Sequence, residues 1–285
     1  MLNINETDTS KSLKPEDFFV IPVLLITFLV GVPGNALVLW ITGVKKKRRV
    51  STLWFWNLAL ADIICCLFIP LILCNIFYHR WLYGKALCKI LPFILILNMF
   101  ASVFTLVAIS IDRYILVVWF VWAKNHRHLR AAQIICLVIW VVSIVMGLPA
   151  AIYRTMAISN NITDCSYMKE YMAPITLTRM VFGFLIPLII ICTCYIRLAC
   201  KVQNTRLLKA GRRTSRVAFV IIVVFFLTWA PLHIMGMLNE MKSKVRKSIH
   251  NLMENALNAD LSGTSSNSKG KYPSAEPSCV EKQKD

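Results

Sequence analysis

Charge is scarce in this sequence. Only 16% of its 285 residues are Asp, Glu, Lys or Arg, against 57% hydrophobic residues and a mean hydropathy of +0.62. A water-soluble domain of this length carries more charge and shorter apolar runs, so the soluble globular class is excluded. Acid is scarcer still: 14 Asp and Glu face 32 Lys and Arg, for a formal net charge of +18. An excess of that size raises the question of nucleic acid. The basic residues, however, lie in clusters between apolar runs rather than along one binding face, which is the pattern of membrane topology, and no nucleic-acid partner is expected. The usual catalytic machinery is also missing. There is no Gly-rich phosphate loop, no His/Glu metal spacing and no nucleophile elbow, so neither an enzyme nor a metal site is expected. Four of the five histidines (His79, His126, His128, His250) fall in loops or the tail, and the fifth is His233. No internal repeat of the kind that builds small transporters is found, which leaves a transporter as a remote alternative. No cleavable signal is expected, because the first apolar run starts late, near Phe18, is too long, and follows acidic rather than basic residues.

What is present is a series of six apolar runs, over 18–41, 53–77, 87–118, 131–152, 173–200 and 217–238. Each is long enough to cross about 30 Å of hydrocarbon as a helix. Helix is required, since every backbone amide in lipid must be satisfied within its own segment. The fold class is therefore an all-α membrane helical bundle. Basic clusters set its orientation: Lys45 to Arg49 after the first run, Lys124, Arg127 and Arg130 after the third, and Lys201, Arg206, Lys209, Arg212, Arg213 and Arg216 after the fifth. All three fall on one side, which is cytoplasmic. The other side receives residues 1–17, with Glu6, Asp8, Glu16 and Asp17, and the loop 153–172. Two sequons, at Asn5 and Asn161, fall on this outer side and are expected to be glycosylated.

Of the ten cysteines, Cys65, Cys66, Cys74, Cys136, Cys192 and Cys194 lie within apolar runs, where cysteine behaves as a small hydrophobe. Cys88 and Cys165 stand at a run end and in an outer polar loop, and form the one plausible bridge. From 239 to 261 the chain turns basic and amphipathic. Val245, Ile249, Leu252, Met253, Ala256 and Leu257 share a helical face behind Lys242, Lys244, Arg246 and Lys247, as in helices that lie along an anionic lipid surface. Residues 262–285 are Ser-, Lys- and Pro-rich and are expected to be disordered.

Ionisable and polar groups within spans are costly, and each is a functional candidate. Asp62 lies mid-span in the second run, with Asn35 in the first and Ser102 in the third. The carboxyl group is either a protonated, hydrogen-bonded acid or part of an ion site, with sodium as the candidate ion. Asp112-Arg113-Tyr114 ends the third run at the inner edge, as a snorkelling pair or a switch. Arg179 stands about two turns inside the fifth run, and Arg154 at the outer end of the fourth. Either Arg179 snorkels to the outer surface, or the two guanidiniums grip a ligand carboxylate. The second is favoured, because the fifth run holds no acid to neutralise Arg179. Pro33, Pro70, Pro149, Pro187 and Pro231 are expected to kink their helices.

Taken in order, these motifs resemble the rhodopsin-like G-protein-coupled receptors. The resemblance rests on Gly34-Asn35 with Val38, on Asn57-Leu58-Ala59-Leu60-Ala61-Asp62, and on Trp81 with Cys88. It continues through Asp112-Arg113-Tyr114, Trp140, Pro187 with Tyr195, and Phe225 with Trp229-Ala230-Pro231, and so covers 18–238. Within that family the chain is most similar to the complement anaphylatoxin receptors, above all those for component 3a. Leu97 to Phe104, Trp122 with Asn125-His126-Arg127, and Pro231-Leu232-His233-Ile234 carry the likeness.

The resemblance implies a plasma-membrane receptor for a complement peptide, with a heterotrimeric G protein, arrestin and membrane lipids as partners. It implies that Arg154, Arg179 and His233 bind the ligand, Arg154 and Arg179 through its C-terminal carboxylate. It gives the roles of activation and coupling to Asp112, Arg113, Tyr114, Tyr195, Trp229 and Pro231. The sequence departs from the family in three places. Trp119-Phe120 replaces lysine-proline, the outer loop 153–172 is short, and the seventh span with its Asn-Pro-x-x-Tyr motif has no counterpart. The stretch 242–261 resembles the helix that follows that span. A second functional reading is therefore a truncated, non-signalling variant of such a receptor.

Overall fold

In a computed structural model of the chain, residues 17–44, 49–159, 162–203 and 209–267 are described. Among them, six helical stretches are long and apolar enough to cross a membrane: Val20–Val44, Val50–Tyr78, Gly84–Val118, Leu129–Ile152, Glu170–Lys201 and Arg216–Asn258. They contain the six runs of the sequence, save the first two residues of the run 18–41. The first is α1 (Asp17–Val44). The second is split into α2 (Val50–Cys66) and α3 (Ile69–Tyr78). Pro70 explains the split: it lacks an N–H and is suited to a helix's first turn, where no donor is needed.

The third is α4 (Gly84–Val118), followed by the short α5 (Phe120–His126) and by α6 (Leu129–Ile152), the fourth. The outer loop forms an antiparallel hairpin of β1 (Arg154–Ser159) and β2 (Ile162–Tyr167). The fifth span runs through α7 (Lys169–Met180), a π-helical turn at Val181–Leu185, and α8 (Ile186–Gln203). Pro187 again supplies a cause, since its missing N–H leaves a carbonyl one turn earlier unpaired and the wider turn absorbs the mismatch. Pro33 and Pro149 are carried inside continuous helices.

Residues Met1–Gly236 form one compact unit and Met237–Asp285 a second. In the first, α4 is the most buried span. Val103, Leu106 and Ile109 of α4 pack with Trp54 and Leu58 of α2, Cys136 of α6 and Ile191 of α8. Ala218, Ile222 and Phe226 complete this core from α9 (Lys209–Asn267). A satellite cluster of Cys66, Ile69 and Leu73 seats Leu24 and Phe28 of α1. The helix α9 carries both the sixth run and the amphipathic stretch and continues to Asn267. The exposed apolar residues of its later part, among them Val245, Ile249, Leu252 and Met253, keep the expected spacing.

Candidate functional site

The outer mouth is built on the hairpin. Cys88 at the start of α4 bonds to Cys165 of β2, with 5.8 Å between Cα atoms across a separation of 77 residues. The backbone N–H of Trp81 donates to Thr163 O at 2.7 Å, and its indole N–H donates to Gly84 O at 2.8 Å, which closes the corner. Arg154 lies opposite Tyr167 in the strand register. Its guanidinium carbon sits 4.8 Å from the centre of that ring, and one terminal nitrogen donates to Cys165 O at 3.0 Å. Burial pushes the Arg154 guanidinium below its ordinary pKa, with Tyr167 and Asp164 acting against that shift.

Arg179, in the last turn of α7, lies within electrostatic reach of Tyr167 and Arg154, and His233 of α9 lies within reach of Arg179. The Nε atoms of Arg154 and Arg179 and Nε2 of His233 are all buried without a hydrogen-bond partner. Neither arginine forms an ion pair among the described residues. A cleft of about 380 Å³, lined in part by Ile96, Met146, Tyr153, Tyr171, Ile175 and Arg179, opens beside them. Two guanidiniums and an imidazole with unpartnered buried nitrogens, and no ion pair to either arginine among the described residues, form an anion-binding arrangement, and buried donors left unmatched each cost about 1–3 kcal/mol until an acceptor arrives. The structure thus brings together the three residues expected to bind ligand. Sequence reasoning missed Tyr167, whose only signal was its position two residues from Cys165, on the same strand face.

Below His233, Trp229 and Phe225 continue an aromatic ladder, with centroids 6.4 Å and 5.9 Å apart in turn. Phe184 of the π-helical turn meets both Phe226 and His233. Of Pro231, only its place inside α9 is described.

Mid-bundle, Ser102 Oγ donates to Asp62 Oδ1 at 2.8 Å and lies 3.4 Å from Asn98 Oδ1. A carboxylate, a hydroxyl and an amide oxygen are a hard-oxygen set that suits a small cation. Asn35 is not delivered to this group, because its amide donates instead to Gly31 O at 2.9 Å on its own helix. Asn57 accepts the Trp140 indole N–H at 3.1 Å, which joins α2 to α6.

At the inner end, Asp112 is shared. Arg127 grips it with two nitrogens, at 2.7 Å and 3.0 Å, while Arg113 approaches at 3.2 Å. Both arginines also donate to Ser51 Oγ, at 2.6 Å and 3.0 Å. Arg113 Nε and the Tyr195 hydroxyl, which interact electrostatically, are each buried without a hydrogen-bond partner. Tyr114 is half-buried and makes no described polar contact. The sequence placed Arg127 in a basic loop and gave no sign that it competes for Asp112. The sequons at Asn5 and Asn161 lie outside the described residues.

Residues 34–262 match the family model of the seven-transmembrane receptors, rhodopsin family. Among curated proteins, the C3a anaphylatoxin chemotactic receptor of Oncorhynchus mykiss is 41% identical over 251 residues, which cover 83% of this chain and 68% of that protein. Its counterpart in Danio rerio is 43% identical over 238 residues, covering 82% and 65%. The human C5a anaphylatoxin chemotactic receptor 1 is 34% identical over 244 residues, covering 83% and 69%. The chain thus spans about two thirds of the length of these relatives. Their identity and the six spans make it a multi-pass plasma-membrane protein, and it belongs to the rhodopsin family of seven-transmembrane receptors.

Proposed function

We propose that this chain is a G-protein-coupled receptor for a complement-anaphylatoxin-like peptide. The observation that carries this reading is the cluster of Arg154, Arg179 and His233 beside Tyr167, in which neither arginine forms an ion pair among the described residues and three buried nitrogens lack hydrogen-bond partners. A peptide's terminal carboxylate supplies acceptors of matching charge. The names of the relatives, receptors for complement fragments, support the same ligand class. Binding draws α7, α9 and the hairpin together at the outer end and shifts the bundle's population. At the inner end, Arg113 leaves Asp112, which Arg127 still holds, and turns toward Tyr195 and a heterotrimeric G protein. Arrestin then engages the occupied receptor at the same inner face. Asp62, Ser102 and Asn98 would hold a sodium ion in the resting bundle, where its charge neutralises the carboxylate.

The test compares a peptide ending in a free carboxylate with its carboxamide. Arg179→Ala weakens the free acid by about two orders of magnitude, as loss of one partner of a buried charge pair does, and leaves the already weaker carboxamide nearly unchanged. Equal affinities of the variant and the parent for the free acid overturn the role.

One observation favours a second reading, a receptor that binds without signalling. Among the described residues six helices, not seven, are fit to span a membrane. Agonist-driven second-messenger output from cells with verified surface display decides against that reading; binding without output decides for it.

A further inference from the structure

Between the end of the third span at Val118 and the start of the fourth at Leu129 lies α5, on the side that carries the basic clusters. Its cap and first turn are an unbroken apolar run, Trp119, Phe120, Val121 and Trp122, exposed by 59, 60, 74 and 49%. The run is held in place. Ala123 is buried, and Arg127, which caps α5, forks onto Asp112 and reaches Ser51. Trp122 stacks on His126 with centroids 4.7 Å apart. Lys124 follows the run in α5 and Arg130 stands at the start of α6; both are exposed, and neither forms an ion pair among the described residues.

A fixed apolar run with two aromatic indoles, one turn beyond a membrane span and beside two unneutralised cations, has the chemistry of the lipid–water boundary. Indole rings favour headgroup depth, and free cations favour an anionic leaflet. We propose that Trp119, Phe120 and Val121 are an interfacial anchor inserted into the anionic inner leaflet, with Lys124 and Arg130 on lipid headgroups. The anchor fixes the height of α5, and through Arg127 it fixes the position of Asp112 relative to the membrane.

The experiment uses the purified full chain in vesicles of phosphatidylcholine, with or without phosphatidylserine, whose acyl chains are brominated near the headgroup. Trp119→Phe keeps the anchor apolar and removes one fluorophore, so the difference between parent and variant is the emission of Trp119. That difference signal is expected to be quenched by the brominated chains and protected from aqueous iodide, more so when phosphatidylserine is present. In Lys124→Gln with Arg130→Gln, the added effect of phosphatidylserine disappears. A difference signal quenched by iodide but not by bromine overturns the proposal, because the run then faces water. A signal reached by neither quencher also overturns it, because a second copy of the chain then covers the run.

Discussion

Arg113 and Arg127 contend for one carboxylate, and the geometry ranks them. Arg127 makes a two-nitrogen fork to Asp112, whereas Arg113 makes one longer contact and keeps an unpartnered Nε. Forked guanidinium–carboxylate pairs are the stronger kind, so Arg113 is the arginine held more loosely and more easily released. Opposite effects are expected on either side of the pair. Asp112→Asn frees Arg113 and raises agonist-independent nucleotide exchange on the G protein, roughly fivefold or more for a coupling of typical size. Arg127→Ala gives Asp112 wholly to Arg113 and lowers the agonist-driven rate. Both rates are read by uptake of a non-hydrolysable GTP analogue into membranes at matched receptor number. If both substitutions move the rate in the same direction, the two arginines do not compete.

At the scale of elements, packing of the first span depends on a close approach. A Cβ added at Gly31 would lie 2.7 Å from Cys66 Sγ, closer than real carbon–sulfur contacts allow. Cys66 is buried in the cluster that seats α1 on α2 and α3, and its Sγ lies 3.8 Å from Thr27 O of α1. Gly31→Ala therefore lowers stability by about 1–3 kcal/mol, the usual cost of overpacking, seen as a lower thermal midpoint in detergent. Gly31→Ala with Cys66→Ala recovers most of the loss, because the sulfur that clashes is gone; a double variant as unstable as the sum of the two singles would show that the sites do not touch.

The same scale shows what was legible in the sequence. The spans were, because lipid demands long apolar helices and their period and length survive in composition alone. Arg179 and Asp62 stood out as candidates, because a charge within an apolar run is costly, and Arg154 did so by its place at the outer end of the fourth run. The outer hairpin was not: six-residue strands in a polar loop carry too little pattern to separate from turns, and with the hairpin went the pairing of Arg154 with Tyr167. The shared hold on Asp112 was hidden for another reason. Arg127 meets it from 15 residues away along the chain, and Ser51 accepts from both arginines across still longer separations, through tertiary packing that no local spacing records. That the Asn35 amide N–H donates to Gly31 O of its own helix was hidden likewise, because a helical face says which neighbours a side chain can reach, not which of them it bonds.

For the whole molecule, the number of crossings fixes the side on which the later part of α9 ends. The basic clusters after the first, third and fifth spans all want the cytoplasm, and six crossings satisfy them together. Six crossings also leave Lys242, Lys244, Arg246 and Lys247, just beyond the sixth apolar run, on the outer side, against the same rule. The conflict is decided by weight. Short loops close to spans dominate orientation, and three such clusters outvote one, so the expected result is an outer C-terminus. An epitope tag after Asp285 is then stained on intact, unpermeabilised cells, alongside a tag placed before Met1. Staining of the C-terminal tag only after permeabilisation, with the N-terminal tag visible from outside, would mean an odd number of crossings. In that case the basic amphipathic face of α9 would lie along the anionic inner leaflet.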